Sequence, residues 1–574
     1  MCSSVLAQIL YNANMPRFRP TRRRHQLEIQ PDEIFIDAAN PAALDVDRFE
    51  GRIERPIGRR SLFLVMSIAA LFIVLYTGRA WNLQFINGTA YATQAAENKL
   101  AEQPIFADRG LIVDRLGREL ASNDRTKVTD DFAARIYAPY VGLSHAVGYT
   151  KAPAKDSSGN YYRSSYIGVD GVEEMYNTEL SGTGGMRLTE TDARGKVVSE
   201  STQRVAESGA KITLSLDAQV TEGLFNAIVH RAEESKFQGG AGVIMDIKTG
   251  ELLALTSYPE YSATTMLGGN QEELSTLLND KRQPFLDRAI NGLYAPGSIV
   301  KPFVALAALA EGVIDENTQI LSTGQISIPN PYDKTKPTVF RDWKAHGLVD
   351  MRHAIAVSSD VYFYEVGGGY QNQKGLGIDK LDKYLKLFGF GTPSGLARAE
   401  EPAGTIPTPA WKELNFPGDP WRVGNTYHTA IGQYGVQVTP LQAVRAVAAL
   451  ANSGTLLNPT LIASSSISVA SKISQPEHYY DVVREGMRLS VTEGIAQAMN
   501  LPYVHVAAKT GTAQVGAHNE YINSWVVGFF PVENPKYAFA MVLEKGPANT
   551  TVGAAPAMGQ FFIWLNENAP QYLK

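Results

Sequence analysis

The spacing of hydrophobic residues changes several times along this chain, and each change predicts a different kind of element. Residues 61–78 carry no charge and are dominated by Leu, Phe, Val, Ile and Ala, which predicts one continuous apolar helix. Residues 90–99 are polar and Ala-rich, a second helix candidate. From Pro104 to about Gly209, short strand-like runs alternate with Gly-rich turns and predict a β-rich module. Longer elements take over from Ala210. Asp217-Ala218-Gln219 reads as a helix start. Residues 241–246 and 251–255 read as two strands with Lys248-Thr249-Gly250 at the hairpin tip. The run 302–310 reads as a buried helix and 378–388 as an amphipathic one. Residues 525–531 and 537–544 read as strands that pair beside a third, in which the mostly apolar Val504-His505-Val506-Ala507-Ala508 leads into Lys509. The predicted fold is α/β (α+β): a sheet flanked by helices, behind a β-rich module and an apolar helix.

Composition adds a compartment. A net charge of -5 implies neither nucleic acid nor a strongly charged partner. The only cysteine is Cys2, so no disulfide framework or cysteine-based metal site is available. The 61–78 stretch is at the lower end of the roughly 17–25 residues that span a bilayer. Arg52, Arg55, Arg59 and Arg60 precede it and Trp81 follows, which predicts a single-pass anchor with a cytoplasmic N-terminus and an extracytoplasmic bulk. About sixty residues come first and no small-residue cleavage site follows, unlike a signal peptide. Those sixty mix the Arg22-Arg23-Arg24 cluster with acidic residues and prolines, a composition expected to be disordered.

Three short strings carry candidate chemistry. Ser298-Ile299-Val300-Lys301 follows the turn signal Pro296-Gly297 and opens the apolar helix. Three-residue spacing puts Ser298 and Lys301 on one face. A serine hydroxyl becomes a nucleophile when a base takes its proton. A lysine is such a base only when neutral, so burial or a second cation must lower its pKa. Alone, the string reads first as an N-cap serine and a solvated lysine, and only the company of the other two strings reverses that. Ser358-Ser359-Asp360 lies between two hydrophobic segments and reads as a turn between buried helices. Ser358 is placed to relay a proton, and Asp360 to bond substrate or Lys301. Lys509-Thr510-Gly511-Thr512 rides the apolar strand. Lys248-Thr249-Gly250 repeats that motif, but at a hairpin tip and ahead of the nucleophile, so it is expected to be solvated and inert. Asp342, His346 and His353 are too widely spaced for one metal site, and no metal or cofactor is expected.

In this order the three strings resemble the signature of the penicilloyl-serine transferases. Further stretches resemble class B penicillin-binding proteins: Arg109-Gly110-Leu111-Ile112-Val113-Asp114-Arg115 with Gly117, Gly168-Val169-Asp170-Gly171-Val172-Glu173 with Tyr176, Asp342-Trp343 with His346-Gly347, and Gly432-Gln433 with Thr439-Pro440-Leu441-Gln442. The Ser358-Ser359-Asp360 variant, the Asp342-Trp343-Lys344 segment and Tyr362-Phe363-Tyr364 resemble the elongation type, penicillin-binding protein 2, more than the septal type. The resemblance implies a cytoplasmic tail over 1–60, a transmembrane helix over 61–78, a non-catalytic pedestal of dimerisation type over 79–209 and a transpeptidase domain over 210–574. It also implies a peptidoglycan D,D-transpeptidase that forms an acyl-enzyme on Ser298 and binds penicillin there, with catalytic Lys301, Ser358, Asp360 and Lys509. Thr510, Gly511 and Thr512 would line the substrate strand, and the amides of Ser298 and Thr512 would form the oxyanion hole. Implied partners are stem peptides, β-lactams, the cytoplasmic membrane, a SEDS-type glycan polymerase and elongation-complex proteins. A septal transpeptidase, a β-lactamase, and a β-lactam sensor or inactive scaffold of the same fold are the alternatives. One departure stands out: only residues 124–134 occupy the place of the family's long head segment.

Overall fold

The computed structural model describes residues 58–574 apart from 98–99, 127–130, 192–196, 334, 397–399 and 464–465. The expected N-terminal tail lies outside the described residues up to position 57. The described chain divides into two units, ending and starting at Ala95 and Ala96.

In the first unit the apolar helix runs Arg59–Trp81 and continues as one wider turn, Asn82–Ile86. It therefore extends past the expected end at Gly78. A glycine inside a helix costs only about 1 kcal/mol, too little to end it, and Trp81 stacks on Phe85 at 4.4 Å beyond it. No residue of this helix is buried. Its exposed Leu, Phe, Val and Ile side chains need an apolar surrounding, and the 28-residue span is long enough for a bilayer to provide it. A short helix, Gly88–Glu97, comes next.

The second unit begins with two small sheets. In the first, Gly185–Thr191 is central, antiparallel to Leu100–Ile105 on one side and Val197–Arg204 on the other. The second sheet contains Ile112–Val113, Glu119–Asp124 and Ala134–Tyr137, and is completed by Ile212–Thr213 parallel to Ile112–Val113. The chain thus returns to this sheet just after residue 209. The pairing Asp124↔Ala134 carries the hairpin up to both ends of the short segment between them.

Two arginines and one glutamate fill the middle of this module. Arg135 Nε donates to Glu173 Oε1 at 2.8 Å, and Arg109 donates to Glu173 Oε2 and, at 2.8 Å, to the Glu173 carbonyl. Their side chains are 0–1% exposed, so the pairing is obligatory: removing one partner leaves a bare buried charge. Asp114 fastens the module to the helical and sheet layers of the larger domain. It accepts N–H bonds from Leu116 and Arg118 within its own turn and from Ala218 at the head of helix Ala218–Ser235.

That helix packs on the main sheet, whose strand order is Leu252–Tyr258, Gly239–Asp246, Tyr537–Pro547, Tyr521–Phe530, Ala507–Val515, all neighbours antiparallel. Period-2 alternation divides its side chains between two cores. Val243 and Val527 join the core containing the 301–310 helix; Ile244 and Val526 join the one containing helices Ala218–Ser235 and Ala554–Asn568. Two-sided burial explains why these strands read as unbroken apolar runs. Lys248 sits exposed on the turn between the first two strands, its N–H capped by Asp246. Ala507–Val515 is the sheet's edge.

Candidate active site

Ser298 lies on a 3-10 turn, Gly297–Val300, that runs into the helix Lys301–Ala310. The sequence places Ser298 at the start of that helix, and the start takes the tighter form; Pro302 in the first turn allows it without losing a hydrogen bond. In a 3-10 turn residues three apart eclipse, which stacks Ser298 and Lys301 more closely than an α-helix does. Three supports hold this turn. The Gly297 N–H donates to the Gly432 carbonyl at 2.9 Å, Trp525 Nε1 donates to the Ala295 carbonyl at 3.0 Å, and Tyr294 Oη donates to Glu544, itself paired with Arg288. Glycine is required at the crossing. A Cβ on Gly297 would lie 2.6 Å from the Thr512 oxygen, one on Gly432 would lie 2.2 Å from the Gly297 oxygen, and both have positive φ.

Ser358 ends the helix Met351–Val357 in the left-handed conformation, φ 58° and ψ 42°, an uncommon place for a serine. Ser359 caps the next helix, Asp360–Gly368, accepting from the Tyr362 N–H. The turn is braced by Asp342, whose Oδ2 accepts from Ser359 Oγ at 2.9 Å and from the Val361 N–H at 3.0 Å. Trp343 Nε1 donates to the Val357 carbonyl. Asp342 is thus a support for the turn, whereas its sequence context marks it only as part of a similar stretch and as a poor metal ligand. His346 lies beside it, with Nε2 3.4 Å from Asp342 Oδ1, whereas His353 pairs with Asp350 on the surface. The three residues do not converge.

The two lysines meet at Ser358. Lys301 is fully buried and donates to the Ser358 carbonyl at 2.8 Å, to Ser358 Oγ at 3.2 Å and to Asp360 Oδ1 at 2.6 Å. These acceptors engage all three of its N–H bonds. Lys509, also fully buried, donates to Ser358 Oγ and to the Thr510 carbonyl, both at 2.8 Å. Burial, and then the Lys301 cation, hold the Lys509 pKa well below the usual lysine value, with Asp360 opposing. Ser298 Oγ makes no hydrogen bond among the described residues and is partly exposed. Lys301 is therefore committed to Ser358 and Asp360 in this resting arrangement rather than to its neighbour Ser298. On the edge strand Thr510 is half-buried, Gly511 buried and Thr512 exposed; Gln433 Nε2 reaches the Thr512 carbonyl at 3.5 Å. The cluster holds a partly exposed serine hydroxyl, two amines, a bridging hydroxyl and an open strand edge.

Residues 240–561 match the family model of the penicillin binding protein transpeptidase domain, and 128–214 match the penicillin-binding protein dimerisation domain. The chain belongs to the penicillin-binding protein family. This penicillin-binding protein is 30% identical to the peptidoglycan D,D-transpeptidase MrdA of Haemophilus influenzae over 90% of its own length and 93% of the relative's. It is 25% identical to the peptidoglycan D,D-transpeptidase FtsI of Buchnera aphidicola over 85% of its length and 91% of that protein. Among solved structures it is similar to Helicobacter pylori PBP2 from a complex with MreC, with TM-score 0.68 and 26% identity over 82% of this chain and 99% of that one. Pseudomonas aeruginosa PBP2 in complex with WCK 5153 gives TM-score 0.67 and 30% identity over 83% and 98%. The alignment with MrdA runs over 624 positions, more than the 574 residues of this penicillin-binding protein, so the relative carries segments that this chain lacks.

Proposed function

We propose that this penicillin-binding protein is a membrane-anchored peptidoglycan D,D-transpeptidase of the elongation type, with an acyl-enzyme on Ser298. The observation that carries the reading is the Lys301–Ser358–Lys509 cluster beside Ser298. With Lys509 driven toward the neutral amine, a proton passes from Lys301 to Ser358 Oγ while Ser358 gives its own to Lys509, along contacts of 3.2 and 2.8 Å. Lys301 is then the base. Ser298 Oγ attacks the carbonyl carbon of the penultimate D-Ala and its proton goes to Lys301. The amides of Ser298 and Thr512 receive the oxyanion. Collapse breaks the peptide bond, and the leaving D-Ala amine takes its proton through Ser358. An amine from a second stem peptide attacks the ester and frees Ser298. Asp360 holds Lys301, and residues 510–512 pair with the donor peptide as an added strand.

The elongation assignment draws on the higher identity to MrdA than to FtsI and on the likeness to PBP2 structures. By the same likeness we assign it a partner of the MreC type and a glycan polymerase. Arginines ahead of the apolar helix orient the N-terminus to the cytoplasm and the catalytic unit to the wall. Labelling with a fluorescent penicillin tests the site. Wild type is expected to label at Ser298 alone by peptide mapping, and Ser298→Ala to remain dark with a Tm close to wild type. A labelled alanine variant overturns the assignment.

A further inference from the structure

Gln433 reaches the edge strand from a wall that the acyl-transfer steps leave unused. Its Nε2 donates to the Thr512 carbonyl at 3.5 Å, and its side chain makes no other hydrogen bond among the described residues. The backbone beneath it is fixed. Its own N–H donates to the His428 carbonyl at 2.9 Å, and Gly432 before it accepts from the Gly297 N–H at 2.9 Å, next to Ser298. Tyr434 after it lies in the left-handed region, φ 56°, which a bulky residue adopts only where its surroundings hold it. Those surroundings are Trp411 and Trp421, whose rings lie 6.1 and 5.8 Å from the Tyr434 ring. Lys412, 2% exposed, ties their loop by donating to the Pro420 carbonyl at 2.9 Å and to Asn425 Oδ1 at 3.0 Å. Gln433 is thus a fixed stalk whose partly exposed tip rests on one long contact.

The carbonyl it touches is one that an added strand needs. Ala507–Val515 is the sheet's edge, and the Thr512 carbonyl points away from the neighbouring strand, toward Gly297 and Gln433. In an antiparallel ladder, a residue whose backbone faces its partner exchanges both hydrogen bonds with it. A donor whose scissile carbonyl accepts from the Thr512 N–H therefore gives the N–H of that same residue, the penultimate D-Ala, to the Thr512 carbonyl. We propose that Gln433 is a positioning residue that stands in for this donor N–H: it occupies the Thr512 carbonyl while the site is empty and yields it to a donor that brings its own amide. The proposal rests on the reading of Ser298 as the acylated serine and of residues 510–512 as the donor's strand. A donor with the N–H displaces Gln433; a donor without it leaves Gln433 in place, so the carbonyl stays satisfied. Between donors, Gln433 also covers an edge acceptor that is otherwise open to any extended chain.

The test uses the full chain in detergent and two β-lactams. Benzylpenicillin carries an acylamino N–H where the donor has its D-Ala N–H, whereas sulbactam has no substituent at that carbon. The rate at which each blocks later labelling by a fluorescent penicillin gives its acylation rate. Gln433→Met keeps the side-chain length and loses the donor; Gln433→Ala loses both. In either variant the ratio of benzylpenicillin to sulbactam rates is expected to rise about tenfold, because sulbactam then covers a bare carbonyl while benzylpenicillin displaces nothing. A wild-type ratio in folded Gln433→Met overturns the proposal even if both rates fall, since support of the Ser298 turn would slow the two alike. A lower ratio overturns it too, because Gln433 would then be binding the acylamino group. Should Gln433→Met fail to fold, Gln433→Ala decides. Failure of the Ser298 reading looks different: penicillin would then label Ser298→Ala.

Discussion

Lys509 is an amine cut off from water, touching a hydroxyl, a carbonyl and the field of a second lysine. Its chemistry comes from that position, not from its being a lysine. Lys509→Ala should therefore slow penicillin acylation by orders of magnitude, because the stabilisation it supplies is realised in the transition state. Lys248→Ala, in the same motif on an exposed turn, should change acylation and stability by no more than about 0.5 kcal/mol. Parallel rate measurements on both variants check this, and equal losses would misplace the active-site strand. Lys301→Arg keeps the charge that Asp360 binds but loses the base, since a guanidinium does not deprotonate; its acylation should be near zero. Glu365 illustrates a cost rather than a contribution. Its pKa is raised to about 7 in the folded protein, so whatever stability its neutral form provides is present at low pH and is lost as pH rises through about 7. With the screening expected of a partly exposed group, Glu365→Gln should stabilise by about 1 kcal/mol at pH 8 and by almost nothing at pH 4.5. Thermal melts at the two pH values measure it.

At the scale of elements, the site depends on how two turns are held. The Ser358 turn would relax toward an ordinary backbone conformation if its brace were removed, since the left-handed region is held there only by its surroundings. Asp342 supplies that brace as a buried acceptor facing two donors. An asparagine keeps an oxygen at only one of the two carboxylate positions, so in Asp342→Asn an amide N–H would meet either these donors at Oδ2 or the Trp343 N–H at Oδ1. The expected loss is about 2 kcal/mol of stability, with slower acylation that unchanged Ser298 and Lys301 do not rescue; a melt and an acylation rate on the same sample test both. The Ser298 turn is held differently, by backbone crossings that admit only glycine at 297 and 432.

For the whole molecule, the β-rich module and the catalytic domain are joined through Asp114 and the start of helix Ala218–Ser235, and the module itself closes on Glu173. Glu173→Gln leaves two buried arginines short of their counter-charge, a defect of about 3–5 kcal/mol. The module should loosen first. Limited proteolysis is expected to cut within residues 100–210 while penicillin still labels the catalytic domain; loss of labelling at the same protease dose would mean the two parts unfold together.

Features carried by a few consecutive residues were legible in the chain before any fold was known: the apolar span, the strands of the main sheet, the presence of the three candidate strings and the exposed hairpin at Lys248. Local pattern suffices there because helix and strand periodicity, and the residue types that acyl transfer demands, are visible within one segment. It could place Ser298 and Lys301 side by side and name Asp360 as a partner for substrate or for Lys301, but not say which of the two Asp360 would take. That was decided by tertiary structure, which brings Ser358 and Asp360 to Lys301 from 57 and 59 residues away and Lys509 to Ser358 across 151. The lowered pKa of Lys509 arises in the same way, since desolvation and a second cation exist only once the sheet edge closes against the helices. Asp342 was hidden for the same reason: it acts through partners on another element, and no spacing within its own segment reports those contacts.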